Sequence, residues 1–214
     1  MDSGTLLLVD SQKEFAGLGG DVHHLKTELE GQQLFSLKDF VFLIFSSFIS
    51  SQKNLSLSLR TGYLHPLHAS SSTRINERFY LGGPLTIRGF KQYGVGPRQG
   101  TCVLGGDTYW ASGVSLFTPL PFMDLDTFRG HLFANAGSLI SLDRCRLIAL
   151  SWFLALAIKD ALLDLTRPSI AAGVGLLVRF SFLRFEVNYC VPVVVRETDV
   201  VKPGIQFGIG LEFM

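Results

Sequence analysis

The sequence LGGPLTIRGF at residues 81–90 decides how the rest of this chain is interpreted. Gly82, Gly83 and Pro84 are turn formers, and Gly89 stands between a cation and an aromatic residue, so we expect a tight bend that holds Arg88 in place. The surrounding segment, residues 69–103, has no apolar periodicity and is too long for an ordinary hairpin connection. We therefore predict a functional loop whose ordered tip presents Arg88.

Most of the remaining chain alternates between apolar and polar residues. The pattern is clearest from Leu55 onward and in Ile170–Phe180, Leu183–Tyr189 and Ile205–Phe213. Period two predicts β-strands, about eight in all, and runs of about ten residues suit strands with a lipid face and a polar lumen. A soluble sandwich alternates in the same way, so periodicity leaves both folds open. The other predicted strands are Thr5–Phe15, Asp21–Phe35, Asp107–Thr118 and Arg129–Gly137.

The composition of the chain gives no reason to expect a nucleic acid partner, and its apolar runs and N-terminus show no helical span or targeting signal. The chain has 214 residues, 47% hydrophobic and only 17% charged, with a net charge of +1, which gives no electrostatic case for nucleic acid binding. Two apolar runs, Phe40–Ile49 and Leu147–Ile158, are each about half the ~20 residues that a membrane-spanning helix needs. We treat residues 40–49 and 141–167 as irregular inserts. The N-terminus shows neither a secretory signal nor an Arg-rich transit pattern.

Motifs of enzymes, metal sites and cofactor sites do not occur in the sequence. It contains no Gly-x-Ser-x-Gly elbow and no phosphate-binding loop. His65 and His68 lack a third ligand nearby. Cys102, Cys145 and Cys190 are odd in number and widely spaced, which predicts reduced or lipid-facing thiols. We expect a protein that is not an enzyme and uses no metal or cofactor.

Three motifs occur in a fixed order, at Arg78–Pro84, Ile87–Phe90 and Gly105–Trp110. Together they resemble the core barrel subunit family of the mitochondrial sorting and assembly machinery, within the BamA-type superfamily of outer-membrane insertases. The resemblance runs from about Lys13 to the C-terminus and matches the C-terminal half of the family's sixteen-stranded barrel. It implies an all-β, transmembrane antiparallel barrel, with residues 1–214 as one partial barrel domain and residues 69–103 as a long inward loop.

The resemblance also implies a function. An integral protein of the mitochondrial outer membrane would insert and assemble β-barrel precursors there, in contact with the lipid bilayer, unfolded precursors and other subunits of the machinery. Strands in lipid must close or pair, because unpaired backbone groups cost several kcal/mol each. Two alternatives stay open: a structural partner of a full-length subunit that does not insert precursors, and a passive polypeptide-translocating pore. A soluble β-sandwich is a third.

The resemblance assigns Arg88 to a latch inside the barrel. In the family its partners lie on the two strands after the loop, where Asn135 and Ser115 replace bacterial carboxylates, so we expect a neutral hydrogen-bonded latch. Asp107 is a further candidate partner. The implied loop motif comprises Ile87, Arg88, Gly89 and Phe90.

The terminal strand fits the signal that mitochondrial barrel precursors present at their last strand. Its polar, glycine and hydrophobic positions are occupied by Gln206, Gly208, Leu211 and Phe213. Such a strand is recognised by addition to a sheet edge, where main-chain hydrogen bonds give affinity and alternating side chains set the register. The same pattern is typical of the final strand of any mitochondrial barrel.

Overall fold

A computed structural model describes residues 6–16, 24–37, 53–67, 73–120, 127–141, 167–180 and 183–211 of the chain. Within these ranges, eight strands build one antiparallel sheet, and two short strands form a hairpin in the connection between Pro66 and Thr108. The described part of that connection also contains one 3-10 turn, Ile75–Glu77. The strands are β1 (Leu6–Ala16), β2 (His24–Leu37), β3 (Lys53–Pro66), β4 (Arg98–Gln99), β5 (Cys102–Val103), β6 (Thr108–Pro119), β7 (Phe128–Ile140), β8 (Ser169–Phe180), β9 (Leu183–Val194) and β10 (Gly204–Leu211).

The sheet is a meander in which each large strand pairs with its neighbours along the chain, in the order β1-β2-β3-β6-β7-β8-β9-β10. The predicted all-β, antiparallel architecture of eight strands is confirmed. β1 and β10 form the two ends of this order, and no pairing joins them within the described ranges. In that part of the chain, each of these two strands therefore has one neighbouring strand.

The two faces of the sheet differ in polarity, as the alternating sequence predicts. On β9 and β10, Tyr189 and Phe207 point outward and are 55% and 71% exposed, whereas Glu186 and Gln206 point inward and are each 4% exposed. On β7, Leu132 is outward and exposed while Asn135 is inward and buried. We call the face that carries Tyr189, Phe207 and Leu132 the outer face, and the face that carries Glu186, Gln206 and Asn135 the inner face. The outer face is apolar, which suits contact with lipid.

The core lies between the inner face and the β3–β6 connection. We call residues 73–107 of that connection the inward loop. Five of its apolar side chains are each at most 5% exposed, and they pack against apolar side chains of the strands. The loop contributes Phe79, Leu81, Ile87, Phe90 and Val95, and the strands contribute Leu64, Ala111, Leu139 and Ala171.

Several features expected from the sequence fall outside the described residues. They include Phe40–Ile49, Leu147–Ile158, Cys145, His68 and Phe213. No helix in the described ranges is long and apolar enough to cross a membrane. In the same ranges, no three His, Cys, Asp or Glu side chains are grouped as metal ligands.

Candidate functional site

The base of the inward loop is fixed where its two ends meet. Phe79 and Gly106 pair through two backbone hydrogen bonds of 2.9 and 3.0 Å. The Asp107 carboxylate accepts hydrogen bonds from Thr73 Oγ1 at 2.9 Å and from Ser141 Oγ at 3.3 Å. Asp107 therefore holds the loop closed at its root.

The tip of the loop is a tight turn. Gly82 has φ +110°, a conformation that L side chains rarely adopt, and its N–H donates to Thr86 Oγ1 at 3.1 Å. The N–H of Gly83 donates to the carbonyl of Ile87 at 3.1 Å. Gly89 has φ +87°, and an added Cβ would lie 2.9 Å from Ala171 Cβ. Glycine at position 89 lets the loop backbone lie directly against the sheet.

Arg88 reaches across the inner face to β9. Its Nη2 lies 2.6 Å from Glu186 Oε2, and the two side chains are only 12% and 4% exposed. Arg184 Nη2 lies 2.6 Å from the other oxygen of Glu186, and Asn188 Nδ2 donates to Oε2 at 3.1 Å. The Arg88 guanidinium also lies 4.9 Å from the centroid of the Phe133 ring, where a cation–π interaction is favourable. One buried carboxylate thus holds two guanidiniums.

The prediction of a neutral latch was wrong. The Arg88 guanidinium donates its side-chain hydrogen bond to Glu186, and not to Asn135, Ser115 or Asp107. Asn135 and Ser115 do line the cavity beside Arg88, but Asp107 belongs to the loop root. The physical reason is the path of the loop: Ile87 lies against Gly137 of β7 and Gly89 against Ala171 of β8, so the side chain of Arg88 between them reaches β9. Glu186 was detectable as a carboxylate at an inward position of an alternating strand.

Gln206 of β10 holds the loop backbone from the other side. Its Oε1 accepts from Gly89 N–H at 3.0 Å, while its Nε2 donates to the carbonyls of Phe90 at 3.1 Å and Lys202 at 3.2 Å. Both the donor and the acceptor groups of the side chain are therefore engaged. Sequence reasoning selected Gln206 as part of a recognition signal, but not as a partner of the loop.

The other residues of the terminal signal have different surroundings. Gly208 faces the loop tip, because a Cβ added there would lie 3.5 Å from Pro84 Cβ. Leu211 pairs with Leu183 at the end of β10. Gly208, like Gln206, thus places the inward side of the terminal strand against the loop.

The connection between β9 and β10 is also joined to the loop. Lys91 N–H donates to Val200 O at 2.9 Å, and Val200 N–H donates to Gly94 O at 2.8 Å. Lys202 N–H donates to Gly89 O at 2.9 Å. The loop, this connection and the β9–β10 hairpin thus share a continuous set of hydrogen bonds.

A polar cavity of about 510 Å³ separates the loop tip from β2 and β3. A second ion pair lies in its wall, between Arg60 Nε and Glu30 Oε1 at 2.7 Å. Both side chains of that pair are at least 40% exposed, unlike those of Arg88 and Glu186. The wall also includes Gln32, Ser56, Ser58, Ser112, Gly113, Ser115 and Asn135.

The family model of the Omp85 superfamily domain matches residues 3–213. The chain belongs to the Omp85 superfamily. Similar solved structures include BamA from Haemophilus ducreyi lacking POTRA domains 1–3, which superposes with a TM-score of 0.69 at 16% identity. The superposition covers 96% of this chain and 38% of that one. The eight-stranded antiparallel sheet of this Omp85 chain therefore has the fold of part of the BamA barrel.

Curated relatives of this Omp85 chain include the human sorting and assembly machinery component 50 homolog, 38% identical over 99% of this chain. Homolog A from Xenopus laevis is also 38% identical over 99% of this chain, and the Saccharomyces cerevisiae sorting assembly machinery 50 kDa subunit is 33% identical over 89%. The matched region makes up 41%, 42% and 36% of those proteins, respectively. The chain thus spans well under half the length of the relatives it matches.

Proposed function

We propose that this chain is an integral protein of the mitochondrial outer membrane that takes part in inserting and assembling β-barrel precursor proteins there. The observation that carries the proposal is its similarity, along nearly its whole length, to proteins named as sorting and assembly machinery components. The apolar outer face and polar inner face suit a barrel in a bilayer.

Insertion proceeds by strand addition at a sheet edge. Within the described residues β10 pairs with β9 on one side only, so the backbone N–H and C=O groups of its other edge are available to another strand. Ile205, Phe207 and Ile209 point outward with exposures of 61% or more, and they set the register in which an added strand presents its own apolar residues to lipid. This step makes and breaks hydrogen bonds only, so we propose that it needs neither enzymatic chemistry nor a cofactor.

The inward loop stabilises the wall beside that edge. Arg88 draws the loop tip to β9 through Glu186, and the buried pair resists separation because either charge left alone would be poorly solvated. The β9–β10 hairpin is thereby supported from the lumen while the outer edge of β10 stays available. We propose that other subunits of the machinery and unfolded precursors are the chain's partners at this edge.

Import of the labelled 214-residue chain into mitochondria depleted of the endogenous subunit tests the proposal. Native gels and a precursor-assembly assay compare wild type, Arg88→Ala and the control Arg60→Ala, whose ion pair is exposed. We expect wild type and Arg60→Ala to restore assembly, and Arg88→Ala to restore much less. A wild-type chain that integrates into the membrane but restores no assembly would overturn the proposal.

A further inference from the structure

The side chain of Gln206 connects two parts of the molecule that are otherwise distant in sequence. Gly89 lies 117 positions before it, and Phe90 lies 116 positions before it. The Gln206 amide accepts a hydrogen bond from the N–H of Gly89 and donates one to the carbonyl of Phe90. It therefore satisfies the loop backbone in the way that a neighbouring strand would. Only a side chain with both a donor and an acceptor makes this pair of contacts. Gln206 is 4% exposed, so water does not easily replace them.

We propose that Gln206 is a positioning residue that fastens the inward loop to the terminal strand, so that β10 moves from its place only when the loop is released. The proposal rests on the proposed function in one respect, namely that displacement of β10 matters for strand addition. The Arg88–Glu186 pair joins the loop to β9, and the neutral contacts of Gln206 join it to β10. The inward loop thus holds both strands of the β9–β10 hairpin, β9 through an ion pair and β10 through neutral hydrogen bonds.

A native thiol reports directly on this contact. Cys190 is fully buried, and its Sγ lies 3.6 Å from Gln206 Oε1. Its Cβ is 3.6 Å from the position that a Cβ on Gly89 would take, so the loop covers it. Reaction of Cys190 with a maleimide therefore requires the loop to leave the sheet, and its rate follows the fraction of molecules in which the loop is open.

The experiment measures this rate in the membrane-integrated chain with Cys102→Ser and Cys145→Ser, so that Cys190 is the one thiol. We expect Gln206→Met, which keeps the length of the side chain, to raise the rate about tenfold or more, because each net hydrogen bond changes an equilibrium constant roughly two- to tenfold. The matched control is Gln32→Met, since Gln32 also lies on the inner face but donates to Ser56 Oγ, at 3.0 Å. We expect no change there. Equal rates in the two variants would overturn the proposal.

A second measurement keeps the test decisive if Gln206→Met does not integrate. A disulfide between Pro84→Cys and Gly208→Cys suits the geometry, because the Cβ atoms would lie 3.5 Å apart. With Gln206 retained, oxidation should slow labelling of Cys190, read at that residue by peptide mass spectrometry, below the rate of the same variant after reduction. Unchanged labelling in the locked protein would show that the loop opens without leaving β10, against the proposal.

The labelling assays contain no precursor, so they test the contact between Gln206 and the inward loop separately from the proposed function. If the chain shows the expected labelling but restores no precursor assembly, the role proposed for Gln206 stands and the proposed insertase function is wrong. If the chain restores assembly but the Gln206→Met and Gln32→Met variants are labelled at equal rates, the proposed function stands and the role proposed for Gln206 is wrong. If both hold, we expect the oxidised Pro84→Cys/Gly208→Cys protein to lose assembly activity and to regain it on reduction.

Discussion

Replacing Glu186 with Gln removes the negative charge shared by Arg88 and Arg184 while keeping the volume of the side chain. Both oxygens of Glu186 lie 2.6 Å from a guanidinium nitrogen, and its side chain is 4% exposed. Because Arg88 is 12% exposed, its charge would remain in a poorly hydrated place without a counter-charge. Arg184 is 26% exposed and recovers part of its hydration. The buried Arg88 therefore dominates the cost.

Breaking a buried ion pair by removing one partner costs about 3–5 kcal/mol. The neutral amide of Gln still accepts a hydrogen bond, so we expect a value at the lower end, about 3 kcal/mol, for Glu186→Gln. With a urea dependence of roughly 1–3 kcal/mol per molar, the unfolding midpoint should fall by roughly 1–3 M. The double variant Arg88→Met/Glu186→Gln should cost clearly less than the sum of its two single variants, because the most deeply buried cation, Arg88, is gone and Arg184 is 26% exposed and partly hydrated.

The assay is urea unfolding of the purified chain in detergent micelles, followed by tryptophan fluorescence. Glu30→Gln is the matched control, since Glu30 also pairs with an arginine on the inner face but the pair is at least 40% exposed, and exposed pairs contribute about 0–1 kcal/mol. Equal midpoint shifts for Glu186→Gln and Glu30→Gln, or additive effects of Arg88→Met and Glu186→Gln, would refute the assignment of Glu186 as the buried anchor of the loop.

Two further predictions test the contact between loop and sheet and the orientation of the strands. Gly137→Ala would place a Cβ 2.5 Å from Ile87 Cδ1 and 2.8 Å from a backbone oxygen, so we expect about 1–3 kcal/mol of destabilisation in the same unfolding assay, whereas Gly31→Ala, with nothing within 4 Å, should change little. Leu132→Arg puts a cation on the outer face at a cost of about 2–4 kcal/mol near the bilayer midplane, and should reduce resistance to alkaline carbonate extraction, while Ser58→Arg, which points into the polar cavity, should not. Similar extraction of the two arginine variants would contradict the assigned faces.

The sequence by itself determined the strands and their faces. Alternation with period two is a local property, because successive side chains of an extended backbone point to opposite sides whatever the strand pairs with. The alternation in residues 129–137 and 205–213 places Leu132 and Phe207 at apolar positions and Asn135 at a polar position, and the structure has them on the corresponding faces. The bend of the loop was likewise predictable, because it forms within residues 82–90 and glycine and proline act on the backbone next to them in the sequence.

Only the tertiary structure decided which wall the loop touches. Arg88 and Glu186 are 98 positions apart, and Gly89 and Gln206 are 117 apart. Partners at such distances depend on strand order, on register and on how far the loop crosses the sheet, none of which is encoded in the period of a single strand. Every inward polar residue is a possible partner of Arg88 in the sequence, and the packing of the loop over β7 and β8 selects Glu186 among them.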